Sequence, residues 1–281
     1  MPELPEVQTI MSDLKKYLEG AEIKNVAIHQ PYKTIPDNKT FMAGVVGQKI
    51  TNITRQAKNI VFDLANGKTI IIHLAMTGRI LLRTKGFKQD SWERVIFTVE
   101  KNEKVLEMRF CDMRTFGKVA LVENRNDYFE GKYGPEPIDK KLTPQQFLTI
   151  LKSKKTNIKN VLLDQEFVSG LGNIYATDAL FLAGINPETT TADLSPENAS
   201  TLLETARLIL AEGIEHRGST LGDKMYVDIF GKEGVHQKFF RIYGKETCPN
   251  CSSTVAFTKL NGRGTYYCPK CQPKKGQAGL L

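Results

Sequence analysis

The sequence predicts an α+β protein of more than one domain, and three observations lead to this class. A short amphipathic segment at the N-terminus precedes many runs that are rich in Val, Ile, Thr and Phe. After residues 131–137, which are dense in Gly and Pro, the apolar periodicity becomes helical. Near the C-terminus, four of the five cysteines form two close pairs. At roughly 100 to 200 residues per domain, 281 residues favour two domains plus a small appendage.

The N-terminal part predicts one helix followed by an antiparallel β region. Apolar residues from Val7 to Leu18 recur at helical spacing, and Gly20 can supply the left-handed residue that ends a helix. Runs rich in β-branched residues then predict strands at residues 23–29, 50–53, 59–64, 69–74, 94–99, 105–110 and 118–122. Between two of them, Asn66-Gly67 predicts a type I′ turn, which needs positive φ at both central residues. Residues 102–104 predict another hairpin turn.

Helical patterning dominates after the segment 131–137, which we interpret as an interdomain linker. Thr143-Pro144-Gln145-Gln146 predicts a capped helix start, with Thr as N-cap and Gln reaching back to it. Ser195-Pro196 predicts a second start, and its helix should run to about His216. Two hairpin strands with the cysteine pairs follow, and we expect a mobile tail from Pro273.

The charge of the chain favours a polyanionic partner. The formal net charge is +8 and the isoelectric point is near 9.1. Lys and Arg that neutralise phosphates release condensed counterions and so gain affinity, although a generic basic surface remains an alternative. No apolar run reaches the roughly 18 residues that span a bilayer, and the N-terminus lacks the basic start and apolar core of a signal peptide. We therefore expect a cytoplasmic protein with no membrane partner.

The cysteine pairs predict a structural zinc site. Cys248 and Cys251, then Cys268 and Cys271, match the C-x2-C…C-x2-C template, which presents four thiolates to one Zn²⁺. Four thiolates leave no open coordination position, so the ion would stabilise the fold rather than catalyse. The alternative is two incidental pairs of buried cysteines. A finger of this kind would hold its turn at residues 262–264 rigidly and offer Arg263 to a partner. The fifth cysteine, Cys111, follows a strand-like run and is interpreted as a buried structural thiol rather than a redox group.

The N-terminus carries a possible nucleophile. An initiator Met before Pro is normally removed, and this would expose a secondary amine at Pro2. An α-amino group has a reference pKa near 8, and the positive end of the following helix should lower it further. Such an amine can condense with an aldehyde-level carbon, and Glu3 and Glu6 lie within one turn of it, where a carboxyl can donate a proton. Acidic residues at a helix start can equally be simple dipole partners.

Together with the cysteine pairs, several further segments resemble the formamidopyrimidine-DNA glycosylase family along nearly the whole chain. These segments are Met1-Pro-Glu-Leu-Pro-Glu-Val7, Arg55-Gln-Ala-Lys58-Asn, His73-Leu-Ala-Met76-Thr-Gly78, Asp112-Met-Arg114-Thr-Phe116-Gly117, Leu163-Asp-Gln165, Gly170-Leu-Gly-Asn173-Ile-Tyr175-Ala and Gly264-Thr-Tyr-Tyr-Cys268-Pro-Lys-Cys-Gln272. The related endonuclease VIII branch typically opens Pro-Glu-Gly-Pro instead.

The resemblance implies a fold and a domain division. The fold would be an N-terminal two-layer antiparallel β-sandwich with flanking helices, a C-terminal helix-two-turn-helix domain and a β-hairpin zinc finger. The domains would be a catalytic domain at 1–133, a DNA-binding domain at 134–224, and a lesion-covering loop with the finger at 225–273.

The resemblance also implies an activity: excision of oxidised purines from double-stranded DNA, followed by β- and δ-elimination at the abasic site. The catalytic residues would be Pro2 as Schiff-base nucleophile, Glu3 as general acid, Lys58 and Arg263. The residues that contact or arrange DNA would be Met76, Arg114, Phe116, Asn173, Lys154, Lys159, His73 and Glu6. An ordinary core role is the alternative for Met76 and Phe116, and a solvated surface is the alternative for Lys154 and Lys159. One structural zinc ion, no diffusible cofactor and a monomer are expected.

Three positions depart from the family pattern, namely Gly222, Trp92 and His236. Gly222 stands where a basic residue is common, and Val235-His236 replaces a more usual Tyr-Phe pair. Trp92 stands where a DNA-contacting histidine is common, so that phosphate contact either passes to Arg94 or is lost. Two alternative functions therefore remain: an oxidised-pyrimidine glycosylase of the same superfamily, and a zinc-ribbon DNA-binding protein without catalysis. Leu4 in place of Gly and the intact Met, Arg and Phe set argue against the pyrimidine enzyme.

Overall fold

The computed structural model describes residues 1–274, and these form two compact units. Unit 1 comprises residues 1–130 and 216–237, and unit 2 comprises residues 131–215 and those from 238 onward. The tail expected to be mobile lies, beyond Lys274, outside the described residues. In the described part of the chain, no helix has both the length and the apolar character needed to cross a membrane.

Unit 1 contains two four-stranded antiparallel sheets whose inner faces share one core. The strand orders are β1-β6-β7-β5 and β2-β3-β4-β8. Phe97 and Phe110 of the first sheet and Phe62 and Ile72 of the second belong to the same buried cluster. The elements are α1 (Leu4–Leu18), β1 (Glu22–Ile28), α2 (Asn38–Val45), β2 (Ile50–Gln56), β3 (Asn59–Leu64), β4 (Thr69–His73), β5 (Gly78–Thr84), β6 (Glu93–Lys101), β7 (Lys104–Asp112), β8 (Lys118–Val122) and α3 (Arg125–Phe129). The predicted α+β class and β-sandwich are confirmed.

The helix α1 begins three residues before the predicted start, because Glu3 acts as its N-cap residue. Its buried face includes Val7, Ile10 and Leu14, as the apolar spacing predicts. Gly20 follows the helix at φ 86°, the left-handed conformation expected of it. The strand β5 and the helices α2 and α3 were not predicted from the sequence.

The two predicted hairpin turns differ in outcome. The β6–β7 turn is confirmed, since Asn102 and Glu103 both have positive φ, 49° and 62°. The type I′ turn predicted at Asn66-Gly67 is wrong. Only Gly67 takes positive φ, 82°, and its amide donates to the Leu64 carbonyl over 3.0 Å. This is a type I turn followed by a left-handed glycine, the arrangement of a three-residue hairpin loop.

Unit 2 is helical and ends in a two-stranded hairpin. Its elements are α4 (Pro144–Lys152), α5 (Ile158–Leu163), α6 (Asn173–Leu182), α7 (Pro196–Glu215), β9 (Ala256–Leu260) and β10 (Arg263–Tyr267), with short 3-10 turns at Thr191–Asp193 and His236–Phe239. The predicted caps are confirmed: Thr143 Oγ1 accepts from the Gln146 amide at 3.2 Å, and Ser195 Oγ accepts from the Asn198 amide at 3.2 Å. The hairpin turn is Asn261-Gly262, so Arg263 is the first residue of β10 rather than a turn residue.

The segment 216–237 returns to unit 1 after α7. The Leu82 amide of β5 donates to the Ile229 carbonyl over 2.8 Å, and Tyr226 is part of the unit 1 core. The sequence-based division at residue 224 therefore falls inside a segment that packs with the N-terminal sheets.

Candidate active site and metal centre

The N-terminal turn of unit 1 places a proline and two carboxylates at the start of α1. Pro2 is buried, and the exposed fractions of Glu3 and Glu6 are 3% and 2%. The Glu3 amide donates to Glu6 Oε2 over 2.8 Å, and the Ser219 amide donates to Glu6 Oε1 over 2.7 Å. Glu6 therefore joins the first turn of α1 to the loop at residues 218–219. Gly218 allows this approach, because a Cβ there would lie 2.8 Å from Glu6 Cγ.

Lys58 lies in the two-residue turn between β2 and β3. Ala57 has φ 50°, and Arg55 stabilises the turn by donating from Nη1 to the Ala57 carbonyl over 2.8 Å. The same guanidinium donates from Nε to Gln8 Oε1 of α1 over 2.9 Å. Arg55 thus pins the Lys58 turn beside the N-terminal half of the helix that follows Pro2 and Glu3. The Lys58 side chain itself is largely buried.

His73 ends β4 and pairs with Asn59, the residue after Lys58. Burial lowers the pKa of its imidazole to about 4, and the positive charges of Lys58 and Lys118 act in the same direction. The ring is therefore neutral at physiological pH. Because its Nδ1 accepts from the Ala75 amide at 3.2 Å, the proton resides on Nε2, which is a hydrogen-bond donor.

Two loops at one end of the sheets, which we call the probing loops (residues 73–78 and 112–117), bring three predicted DNA contacts together. Arg114 Nη1 lies 3.4 Å from the Met76 sulfur, and the guanidinium carbon lies 4.5 Å from the centre of the Phe116 ring. Met76 and Phe116 are 37% and 55% exposed. Exposure of this size excludes the core role that was the alternative for both side chains.

The residue that organises the probing loops was missed by the sequence analysis. Asp112 is fully buried, and its carboxylate accepts from the Gly117 amide at 2.7 Å, the Arg114 amide at 3.2 Å and the Thr77 hydroxyl. Two glycines make room for this packing. A Cβ at Gly78 would lie 2.3 Å from the Leu74 carbonyl oxygen, and one at Gly117 would lie 2.6 Å from the Phe110 ring.

The three departures from the family pattern differ in their surroundings. Trp92 is 52% exposed at φ 63°, and Arg94 Nε donates to the Asp112 carbonyl over 2.8 Å. Gly222 is open, with no heavy atom within 4 Å of a built Cβ. His236 is fully buried and stacks on His216 with a centroid separation of 5.4 Å.

In unit 2, the side chains of Lys159 and Asn173 support the hairpin. Lys159 is fully buried, and its Nζ donates to the Asn173 carbonyl over 3.1 Å and to the Thr177 hydroxyl. Asn173, the first residue of α6, donates from Nδ2 to the Gly264 carbonyl over 2.9 Å. Gly264 follows Arg263, so this bond fixes the backbone that carries the predicted catalytic arginine. A phosphate cannot reach a fully buried ammonium in this conformation.

Lys154 and Arg263 line one polar pocket on the surface of unit 2. Lys154 is about half exposed, pairs with Asp164 over 2.8 Å and lies 5.0 Å from the centre of the Phe167 ring. The structure therefore brings Lys154 and Arg263 together, and it gives Lys154 one carboxylate partner that a phosphate would have to replace.

The four paired cysteines form a metal centre. Their sulfur atoms lie within 4.8 Å of one another, with Cys251 to Cys268 at 3.5 Å and Cys248 to Cys271 at 3.8 Å. Tetrahedral zinc with bonds of about 2.3 Å separates its sulfur ligands by about 3.8 Å, so the donor set fits one Zn²⁺. All four positions are thiolate, which makes this a structural site.

Two buried polar residues, whose roles were not predicted from the sequence, tie the finger (residues 248–271) and its lead-in to α6 and to the residues that follow α6. The carboxylate of Asp178 accepts from the amides of residues 241–243 at 2.8–3.0 Å. Burial raises the pKa of Asp178, and those three amides oppose the rise. Gln272 accepts from the Cys268 amide at 3.0 Å and donates to the Ile185 carbonyl over 2.8 Å. The sequence did contain one signal for Asp178: it is a lone carboxylate within the apolar run 174–182. A buried charge needs hydrogen-bond partners, so such a residue indicates a structural contact.

Comparison with known families gives matches in three consecutive segments. Residues 1–119 match the formamidopyrimidine-DNA glycosylase N-terminal domain, and residues 133–225 match the H2TH domain of that enzyme. Residues 245–274 match the zinc finger found in formamidopyrimidine-DNA glycosylase and isoleucyl-tRNA synthetase. The helix-two-turn-helix domain and the zinc finger expected from the sequence are confirmed.

Whole-chain relatives agree with these segments. The formamidopyrimidine-DNA glycosylase of Carboxydothermus hydrogenoformans is 38% identical over 277 residues, covering 97% of this chain and 100% of the relative. That of Desulforamulus reducens is 37% identical, covering 98% of this chain and 100% of the relative.

Among solved structures, the Lactococcus lactis enzyme bound to DNA with an abasic site has a TM-score of 0.89 at 29% identity, covering 97% of this chain and 100% of that one. A complex with DNA containing carbocyclic 8-oxo-G has a TM-score of 0.88 at 30% identity, with the same coverage. The chain belongs to the formamidopyrimidine-DNA glycosylase family.

Proposed function

We propose that this protein removes oxidised purines, such as 8-oxoguanine and formamidopyrimidines, from double-stranded DNA and then cleaves the strand at the resulting abasic site. Enzymes of its family are DNA glycosylases with an associated lyase activity. One observation carries the proposal: Pro2 and Glu3 immediately precede the helix α1, beside which Arg55 holds the Lys58 turn. The cluster of Met76, Arg114 and Phe116 lies in the same compact unit.

The chemistry starts at the nitrogen of Pro2, once Met1 has been removed. The secondary amine attacks C1′ of the damaged nucleoside and loses its proton, and the bond from C1′ to the base breaks; the C1′–O4′ bond then opens, and an iminium forms on the ring-opened sugar. Glu3 supplies a proton to the leaving base or to the sugar oxygen. Loss of a C2′ proton then expels the 3′ phosphate, and a second elimination expels the 5′ phosphate, leaving phosphate on both sides of a one-nucleotide gap.

The damaged base must first leave the stack, and the probing loops supply the side chains for this step. Met76 is an unbranched apolar wedge, and the Phe116 ring can unstack a base step. Arg114 can pair with the base that is left without a partner. Their mutual contacts preorganise the set before DNA binds.

Phosphate binding and positioning are divided among the other predicted site residues. We assign phosphate contacts to Lys58, Arg263, Asn173 and Lys154, through ammonium, guanidinium and helix N-terminal groups. Lys159 acts indirectly by holding the start of α6.

Two predicted DNA contacts in unit 1 take different roles in this proposal. Glu6 is a positioning residue for Glu3 and for the loop at 218–219. The neutral His73 offers an Nε2–H donor to a phosphate.

The surroundings of the reaction are part of the same proposal. The protein works as a monomer in the cytoplasm, bound to the nucleoid DNA. The proposed division of labour follows the sequence: residues 1–133 carry the chemistry, 134–224 bind the duplex, and within 225–273 the finger grips the strand, while residues 225–237 belong to unit 1.

Borohydride trapping tests the covalent step. The protein is incubated with a duplex containing 8-oxoguanine opposite cytosine, and sodium borohydride reduces any iminium to a stable adduct that is visible by electrophoresis. We expect an adduct with the wild type and none with Pro2→Gly. The variant Pro5→Ala changes a proline in the first turn of α1 but keeps the secondary amine of Pro2, so it should still form the adduct.

Three results would overturn parts of the proposal. Mass spectrometry of the active protein that finds Met1 attached, or the terminus blocked, excludes the amine chemistry. Lesion binding without an adduct indicates a DNA-binding protein that does not cut. Faster excision of oxidised pyrimidines than of 8-oxoguanine, in a panel of duplexes, assigns the protein to the pyrimidine branch.

A further inference from the structure

A groove in unit 1 lies at the end of a sheet that is remote from the probing loops. In the pairing of β5 with β7, Gly78 faces Asp112 at the probing end and Thr84 faces Leu106 at the other end. Thr84 and Leu106 line the groove. Six residue steps at about 3.3 Å each separate the two ends by about 20 Å. A molecule in this groove would therefore leave the probing loops accessible.

The walls of the groove are apolar and include two exposed aromatic rings. Tyr17 of α1 and Phe230 are 38% and 41% exposed, and their rings meet edge to face at 5.4 Å. Leu82 and Leu106 line the same groove. Contiguous exposed apolar surface with polar neighbours is typical of an interaction site.

Phe230 is held in its exposed position by buried polar bonds. Asp228, which is 3% exposed, accepts from the Phe230 amide at 2.9 Å and the Lys232 amide at 2.9 Å. Arg217 binds the other oxygen of that carboxylate over 2.9 Å. On the preceding residue, the Ile229 carbonyl accepts from the Leu82 amide of β5. The chain thus orders a tight turn whose outward side chain is a phenylalanine, which lowers the entropy cost of binding a partner there.

Three lysines surround these rings. Lys16, Lys101 and Lys104 line the groove, and among residues 1–274 none of them forms an ion pair. Lys101 and Lys104 face each other across the β6–β7 turn, and like charges in that position are destabilising. Glu103 lies in the same turn. Together with the three lysines it forms a set of four charged residues whose net charge is positive.

We propose that this groove binds an acidic peptide segment of a partner protein, with an apolar side chain of the peptide packed against Tyr17 and Phe230 and its carboxylates facing Lys16, Lys101 and Lys104. The apolar walls favour a peptide over a nucleic acid backbone, because a sugar–phosphate chain has no apolar side chain to pack against the two rings. The site would let the protein be recruited by a partner while its DNA-binding end remains accessible.

Fluorescence anisotropy tests this site with a defined probe: a fluorescein-labelled nonapeptide in which aspartate and glutamate flank one phenylalanine and one leucine. We expect saturable binding to the full-length protein and at least a tenfold weaker Kd with the double variant Lys101→Glu, Lys104→Glu. Phe230→Ala should weaken the Kd by a similar factor. The double variant Lys39→Glu, Lys140→Glu makes the same change in net charge at two exposed lysines outside the groove, and it should bind as the wild type does.

Each variant is also assayed for cleavage of an 8-oxoguanine duplex, which should be unchanged and which reports correct folding. The proposal is overturned if the peptide does not bind the wild type up to millimolar concentration, or if the groove variants bind it as tightly as the wild type. It is also overturned if a single-stranded oligonucleotide displaces the peptide and its own affinity is reduced by the groove variants, because the groove would then be a nucleic acid site. Absence of cleavage in the wild type would contradict the proposed function but not this site, and thermal unfolding would then report the folding of each variant.

Discussion

The probing loops and the zinc finger both present side chains for DNA from short turns, but different chemistry holds each of them. In the probing loops, one buried carboxylate, Asp112, accepts from three donors, and Gly78 and Gly117 allow close backbone packing. In the finger, four thiolates hold the ends of a hairpin, and Asn173 fixes the backbone next to Arg263. The probing loops therefore extend from the hydrophobic core of unit 1, whereas the fold of the finger depends on a bound zinc ion.

This difference predicts which part of the protein each substitution should disrupt. Loss of the metal should release the finger and leave the core of unit 1 intact, because that core consists of residues from unit 1 alone. Loss of Asp112 should disturb the end of two strands of that core. The four predictions that follow test this contrast, from the largest expected effect to the smallest.

Removal of zinc should have the largest effect. Metal binding contributes about 10 kcal/mol or more to the folding of small zinc fingers, so the finger should unfold when the ion is chelated. We expect Cys268→Ser, or chelation of the wild type, to weaken binding to a lesion duplex at least 100-fold. Mobility shift measures the binding, and thermal unfolding of unit 1 should be nearly unchanged.

The fifth cysteine supplies the matched control for that experiment. Cys111 is buried in unit 1, where burial raises the pKa of its thiol to about 12 and keeps it protonated. Cys111→Ala should therefore leave the zinc content at one ion and DNA binding intact. Metal-free protein that binds the lesion duplex with the affinity of the wild type would contradict the role given to the finger.

Asp112→Ala should have the next largest effect. It leaves the Gly117 amide and the Thr77 hydroxyl without their acceptor and removes one of the two acceptors of the Arg114 amide, at a cost of about 3 kcal/mol in the free energy of unfolding. Because Met76, Arg114 and Phe116 lose their alignment, excision of 8-oxoguanine should slow at least 100-fold. Denaturant titration and single-turnover kinetics measure the two effects.

The surface variant Asp127→Ala is the control for Asp112, since Asp127 is exposed on α3. It should change stability and excision very little. Wild-type excision in Asp112→Ala would show that the buried carboxylate does not organise the probing loops.

The contrast also explains how much of the molecule was predictable from the sequence. The metal site was predictable in full, because coordination by four thiolates demands a fixed spacing within short segments. Local chemistry likewise predicted the caps at Thr143 and Ser195 and the strands at 59–64 and 118–122. The type I′ turn at Asn66-Gly67 was wrong, because the same dipeptide also suits a three-residue loop in which only the glycine has positive φ.

The supports of the site were not predictable in the same way. Asp112, Asp178 and Gln272 each satisfy backbone groups that are far away in sequence or in another loop, so no local pattern marks them. Lys159 was predicted to contact DNA, with a solvated surface as the alternative, yet its side chain is fully buried, since charge alone does not specify which side of a helix faces solvent. Such residues become visible only when the tertiary packing is known.

The third prediction concerns the probing loops: the stability of unit 1 should depend on pH through His73. His73 has a pKa of about 4 in the folded state and about 6.5 when unfolded, so the unfolded chain binds more protons between these values. The stability contributed by neutral His73 is complete above pH 6.5 and is lost as the pH falls toward 4. From pH 7 to pH 5 the loss should be about 2 kcal/mol.

Comparison of the wild type with His73→Asn isolates this term, because both proteins share every other titrating group, including the zinc thiolates. Denaturant unfolding at pH 7, 6 and 5 should give a difference between them that shrinks as the pH falls. A difference that stays constant over this range would contradict the lowered pKa of His73.

The smallest effect should come from substitution of Lys154. Its salt dependence distinguishes the exposed Lys154 from the buried Lys159 of unit 2. If Lys154 binds a phosphate, Lys154→Ala lowers the slope of log affinity against log salt by about 0.9 and weakens binding only a few-fold. Lys159→Met should leave that slope unchanged, because a buried ammonium releases no counterion, while it weakens binding through the displaced Asn173. Lys140→Ala, at an exposed site on unit 2, is the control and should match the wild type in both quantities. Equal slopes for Lys154→Ala and the wild type would mean that Asp164 keeps Lys154 when DNA is bound, and the phosphate grip of unit 2 would then rest on Arg263 and Asn173.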